Sequence, residues 1–234
     1  MAASPCLFLW DIDGTLISVG GAGERALVHA IRDTFGFEGD LSGIDYAGRT
    51  DRTISRMLHE FYGVQHTTES QDRFMQAYLD HLEIEMQHTR MHLLPQVPEI
   101  LNAIDQHPHC YQGLLTGNLR RGGKIKLDHY GIWHHFPFGG FSDASHLRNE
   151  LAEAALVEAQ RHTGISFEPQ RVVVIGDTPH DITCGQHIGA RTYAVCTGRF
   201  RPEDLAPLQP DFLKSELPGP SQFLSEVFAV LDNS

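Results

Sequence analysis

Residues 11–16 read Asp-Ile-Asp-Gly-Thr-Leu and follow directly on the apolar run Leu7-Phe8-Leu9-Trp10. A short, wholly apolar run of this kind reads as a buried strand. Side chains alternate along an extended chain, so Asp11 and Asp13 fall on the same side. Like charges crowded together need a cation or a shared proton. Such a pair can supply a nucleophile, an acid–base group and oxygen ligands for a hard metal ion. A calcium loop of the EF-hand type does not fit, since Leu16 stands where its sixth-position glycine belongs.

Two later segments carry matching chemistry. Leu114-Leu115-Thr116-Gly117-Asn118 ends an apolar stretch on a hydroxyl. The amides of Gly117 and Asn118 that follow can cradle anionic oxygens. Val172-Val173-Val174-Ile175-Gly176-Asp177-Thr178-Pro179-His180-Asp181 ends a second apolar stretch on two carboxylates four residues apart. Gly14 lets the chain turn sharply after the first strand. Gly48-Arg49-Thr50-Asp51 precedes a helical pattern, with Thr50 or Asp51 as its N-cap and Arg49 as a candidate substrate contact. Gly20, Gly21 and Gly23 lack the spacing of a dinucleotide fingerprint and read as a hinge.

The elements that must position these residues alternate. Leu7–Ile12 is predicted as the first strand. Helical patterns then cover roughly 22–35, 51–62 and 69–89, with Phe74, Tyr78, Leu82 and Met86 on one face of the last. Beyond Leu94, helices are predicted at 95–106, 119–130, 149–162, 180–188 and 220–231. Strands are predicted at 110–115, 136–141, 171–175, 192–196 and 211–213, and Arg201–Pro220 is read as loop. This pattern predicts an α/β fold: a Rossmann-like parallel sheet covered on both faces, with an inserted α-helical cap domain. The core is assigned to 1–16 and 93–234 and the cap to 17–92. Asp11, Thr116 and Asp177 each fall at the C-terminal end of a predicted strand, where ligands bind in open parallel sheets.

Composition narrows the function classes. With 234 residues and 41% hydrophobic content, the chain can bury one sizeable core. The net charge of −12 disfavours nucleic acid and anionic membranes as partners. It leaves room for a small anion bound by a local positive site. No bilayer-length apolar run and no secretory leader are read, and the four cysteines form no CxxC pair, so a cytoplasmic location is expected. The histidines include no HExxH motif, and the neighbouring His107/His109 and His134-His135 read as ordinary partly exposed residues.

Taken together, Asp11-Ile12-Asp13-Gly14-Thr15-Leu16, Thr116-Gly117-Asn118 and Gly176-Asp177 with Asp181 resemble the haloacid dehalogenase-like hydrolase superfamily. The match is to its phosphatase branch with a helical cap after the first strand, and it covers the chain from about Leu7 to Leu231. That resemblance implies a Mg²⁺-dependent phosphatase acting on a small phosphorylated metabolite through an aspartyl-phosphate, as a monomer or homodimer. Phosphoglycolate is the commonest guess at a substrate for this cap type. It further implies Asp11 as nucleophile and Asp13 as the acid–base group. Thr116, Gly117, Asn118 and Gly14 would contact the phosphoryl group. Asp11, Asp13 through its carbonyl, Asp177 and Asp181 would serve the metal, Asp181 through a bound water or by orienting its loop. The family places a lysine before the last motif, but here no lysine lies between 127 and 213. Arg148, 29 residues before Asp177, is assigned that place. A sugar phosphomutase of the same superfamily is the alternative. A dehalogenase, which needs neither Asp13 nor Asp177, is a weaker one.

Overall fold

The computed structural model describes residues 4–18, 20–88, 90–143 and 145–232. Strand β1 (Cys6–Trp10) is buried along its whole length. Its alternation divides the interior. Phe8 and Trp10 join one apolar cluster, and Leu7 and Leu9 join the other on the opposite face. Strand β2 (Cys110–Leu115) lies on one side of β1, and β4 (Val172–Gly176) lies on the other. With β3 (Gly139–Gly140), β5 (Arg191–Val195) and β6 (Phe212–Lys214), the six strands form one sheet in the order β3-β2-β1-β4-β5-β6. Every pairing is parallel. Consecutive strands progress outward in opposite directions from β1, which makes its C-terminal end the topological switch point where ligands bind in such sheets.

Helices cover both faces. α4 (Val97–Asp105), α5 (Arg120–His129) and α9 (Pro220–Leu231) pack on the Phe8/Trp10 side. Trp10 stacks on Phe223 with ring centroids 5.8 Å apart. α6 (Arg148–Thr163) and α7 (Pro179–His187) cover the Leu7/Leu9 side through small residues, among them Ala152, Ala155 and Cys184.

The cap holds α1 (Ala22–Phe35), α2 (Asp51–Phe61) and α3 (Thr68–Gln87). Thr50 is the N-cap of α2, accepting from the Thr53 amide at 3.2 Å, and Thr67 and Ser70 form a capping box at the start of α3. Phe74, Tyr78, Leu82 and Met86 are all buried, as their spacing requires. The two connections to the cap run side by side. The Ser18 amide donates to the His92 carbonyl at 2.9 Å and the Leu94 amide to the Leu16 carbonyl at 3.0 Å, with Ile17 and Leu93 bridged between them.

Two sequence expectations shift. The strand expected over 136–141 narrows to Gly139–Gly140, the two residues that pair with Leu114 and Leu115 and lie close against neighbouring backbone. A Cβ on Gly140 would sit 2.0 Å from the Leu151 carbonyl oxygen. The stretch read as loop after Arg201 includes a one-turn helix, α8 (Pro202–Leu205), with Pro202 suited to a first turn. No helix among the described residues is long and apolar enough to cross a membrane.

Candidate active site

The site forms where β1, β2 and β4 end together. Asp11 and Asp13 leave β1, Thr116 leaves β2 and Asp177 leaves β4. Gly14 takes φ +86°, a left-handed conformation at the sharp turn expected there, and a Cβ on it would meet the Asp177 carboxylate at 2.5 Å. Gly198 presses on the same carboxylate from the loop after β5, its hypothetical Cβ 1.8 Å from Asp177 Oδ2. The Thr15 hydroxyl donates to Asp177 Oδ1 at 3.2 Å. Asp177 is therefore fixed from three sides by β1-loop and β5-loop residues.

Asp11, Asp177 and Asp181 each bring a carboxylate oxygen within 4.8 Å of the others, and all three are buried. Burial, with the charge of Asp181 next, pushes the Asp11 carboxyl up to about 7, although Arg148 opposes the shift. Burial and the neighbouring Asp11 and Asp181 charges hold Asp177 well above the usual carboxylate range. Carboxylates raised in this way lack compensating positive charge. An all-oxygen cluster short of positive charge suits a hard divalent cation such as Mg²⁺.

Arg148, the first residue of α6, is buried and points its guanidinium at this cluster. It pairs with Asp181 and comes within 3.7 Å of Asp11 Oδ1. Asp181 Oδ2 accepts from the Thr178 amide at 3.0 Å and the Thr178 hydroxyl at 2.7 Å. Both Asp181 oxygens are thus hydrogen-bonded, one by Arg148 and the other within the capping box of α7. The carboxylate anchors the arginine and the helix end together.

On the other side of Asp13, the Thr116 hydroxyl accepts from Asn118 Nδ2 at 2.8 Å and from the Asn118 amide at 3.3 Å. Asn118 Nδ2 also donates to Asp13 Oδ2 at 2.9 Å. Lys126 of α5 donates to Asp13 Oδ2 at 2.6 Å and to Asn118 Oδ1 at 2.7 Å. Sequence reasoning missed Lys126. The available signal was a lysine on the buried stripe of its helix, beside Leu127 and one turn from Gly122 and Gly123.

The cap is closed over these groups. The Asp51 amide donates to the Gly117 carbonyl at 2.8 Å, and the Leu119 amide donates to Asp51 Oδ2 at 2.8 Å. Arg52 Nε reaches the Ser142 carbonyl at 2.8 Å, and the Thr50 hydroxyl reaches that of His146 at 3.0 Å. Gly117 lies against the Arg49 carbonyl so closely that a Cβ would be 2.6 Å away. A cavity of about 390 Å³ remains between cap and core, with the carboxylates, Lys126 and Arg148 at its base. Leu27, Ile54, Tyr78 and Met91 form an apolar wall. Arg49 lines the same cavity, half-buried and held by Asp45 through its backbone carbonyl at 2.5 Å.

Comparison with known proteins agrees with this fold. The family profile "Haloacid dehalogenase-like hydrolase" matches residues 8–195. A phosphoglycolate phosphatase of Aliivibrio fischeri is 25% identical over 215 residues, 90% of this chain and 92% of that one. A hydrolase from Pseudomonas syringae superposes with a TM-score of 0.72 at 18% identity, covering 96% of this chain and 99% of that one. CbbY from Rhodobacter sphaeroides, solved in complex with phosphate, gives a TM-score of 0.71 at 15% identity over 91% of this chain and 94% of that one.

Proposed function

The chain belongs to the haloacid dehalogenase-like hydrolase family, and from that premise we propose that it is a Mg²⁺-dependent phosphatase of a small phosphorylated metabolite. The observation that carries this reading is the buried Asp11–Asp177–Asp181 cluster facing Arg148 beneath the closed cap. Asp11 is the nucleophile. Its carboxylate attacks phosphorus, the ester oxygen departs, and an aspartyl-phosphate forms. Asp13 protonates the departing oxygen and later takes the proton of the attacking water, whose oxygen ends in inorganic phosphate.

Asp11, Asp177 and the Asp13 carbonyl would hold Mg²⁺, with Asp181 fixing the loop. When bound, the ion would supply charge neutralisation for the phosphoryl group. Arg148, Thr116 and the Gly117 and Asn118 amides bind and orient the same oxygens, and Gly14 lets the chain turn beneath them. The closed cap excludes water while the ester bond breaks. The cap wall is mostly apolar with Arg49 at its edge, which suits a compact organic leaving group with an anionic end. The phosphoglycolate phosphatase similarity supports a substrate of that class. Segments 1–16 and 93–234 act as core and 17–92 as lid, and the chain works as a monomer or homodimer in the cytoplasm.

The test is release of inorganic phosphate by purified protein with Mg²⁺ from a panel of phosphorylated metabolites. A phosphatase frees phosphate from at least one small ester. A mutase would isomerise a sugar phosphate with no net release, and that outcome would replace this reading.

A further inference from the structure

Two buried cations reach the base of the cavity, and they serve different carboxylates. Arg148 faces Asp11 and Asp181. Lys126 faces Asp13, with its side chain only 5% exposed. Its ammonium donates to Asp13 Oδ2 at 2.6 Å and to Asn118 Oδ1 at 2.7 Å, while Asn118 Nδ2 donates to that same Oδ2 at 2.9 Å. The three groups close a ring of hydrogen bonds around one carboxylate oxygen. Asp13 Oδ1 is left as the oxygen that can face a leaving group.

We propose that Lys126 is the positioning residue of the general acid–base carboxylate: with Asn118 it clamps Oδ2 of Asp13 so that Oδ1 is aimed at the ester oxygen. The proposal rests on the phosphatase reading and deepens it. A carboxylate alone on a turn can rotate about its Cβ–Cγ bond. Two donors converging on one oxygen remove that freedom, which matters because proton transfer needs the heavy atoms within hydrogen-bond reach. The ammonium also faces the negative charge that Asp13 acquires when its proton passes to the departing oxygen. Lys126 is itself held by its helix. α5 lies beneath the cap, where a Cβ on Gly122 would come within 3.3 Å of Leu79 on α3 and 3.8 Å of Asp51 Oδ2.

The role predicts a leaving-group signature. Phosphoryl transfer to Asp11 with an aryl leaving group needs little protonation, because a phenolate departs readily. An alkoxide departs only with the proton from Asp13. kcat/KM reports this first step alone, before water attacks the aspartyl-phosphate. In Lys126→Met, kcat/KM for alkyl phosphates is expected to fall by about a hundredfold, the scale of a general-acid contribution. For p-nitrophenyl phosphate the expected fall is less than about tenfold, so the dependence on leaving-group basicity steepens.

Lys126→Gln is measured alongside, in case the apolar variant does not fold. Each substitution is also made in an Asp13→Asn background. There the loss of Lys126 is expected to cost nothing further, because the group it positions is already gone. Equal losses for aryl and alkyl esters, or losses that multiply in the Asp13→Asn background, would overturn the role of Lys126 while leaving the phosphatase reading intact. A wild-type protein that releases phosphate from no ester would overturn both.

Discussion

Arg148 Nη2 stands 3.7 Å from Asp11 Oδ1, reaching it from the first residue of a helix that begins far from Asp11 in sequence. Three buried carboxylates face one buried guanidinium at the centre of the site. Three of the predictions below follow from that imbalance and from the cap that closes over it.

Removing Arg148 should damage every substrate alike, since all present the same phosphoryl group. Arg148→Ala is expected to lower turnover by at least about a hundredfold, the cost of losing one preorganised electrostatic contact. It should also destabilise the protein by about 3–5 kcal/mol, because Asp181 loses its buried partner. Steady-state assays on several esters and thermal melts read the two effects separately. A loss confined to one substrate would place Arg148 outside the phosphoryl site.

Metal-free protein should lose stability as pH rises. The Asp11 carboxyl is raised to about 7 by burial and the neighbouring Asp181 charge, and Asp177 is raised for the same kind of reason. The folded state therefore holds these protons more tightly than the unfolded chain. The contribution of the Asp11 proton is complete below about pH 4, near the unfolded carboxylate value, and is lost as pH climbs through about 7, and the Asp177 contribution is likewise lost as pH rises. Melting scans with a chelator should show this decline. Added Mg²⁺ should reverse it at pH 8, by about 2.7 kcal/mol when its concentration is roughly a hundredfold above Kd. A melting temperature insensitive to Mg²⁺ at that pH would count against the carboxylate cluster as its site.

The Asp51 carboxylate joins cap to core through the Leu119 amide. Asp51→Ala leaves that amide without its acceptor, a cost of about 1–3 kcal/mol if it remains buried. The closed arrangement is expected to weaken instead. KM should rise, and protease cleavage near the paired segments 16–18 and 92–94 should quicken, while Asp51→Asn keeps an acceptor and stays near wild type. Unchanged KM and proteolysis in Asp51→Ala would show that the contact does not hold the cap.

The strand–helix alternation was legible because its signals are local. β1 is a five-residue apolar run, and α3 repeats Phe74, Tyr78, Leu82 and Met86 on one face. Asp11, Thr116 and Asp177 could be placed at strand ends for the same reason, and Arg148 could be singled out by the missing lysine. Lys126 showed only as a lysine on the buried stripe of its helix, and neither its contact with Asp13 nor the link from Asp51 to Leu119 was legible. Each depends on which helix face meets which loop after the cap has folded back, and no periodicity encodes that. Asp181 lies between these cases. Its spacing from Asp177 was visible, but its bonds to Thr178 and Arg148 required the packing of α6 against α7.

The most direct test of the account is to trap the phosphoryl group on Asp11. Protein turning over a good substrate with Mg²⁺ is quenched in acid along a time course and reduced with borohydride, which converts an acyl phosphate to the corresponding alcohol. Peptide mass mapping then locates the change. The account predicts reduction at Asp11, its absence in Asp11→Asn, and turnover in that variant lower by at least about a thousandfold. Phosphate release at the wild-type rate from Asp11→Asn, or a phosphoryl group trapped on another side chain, would contradict it.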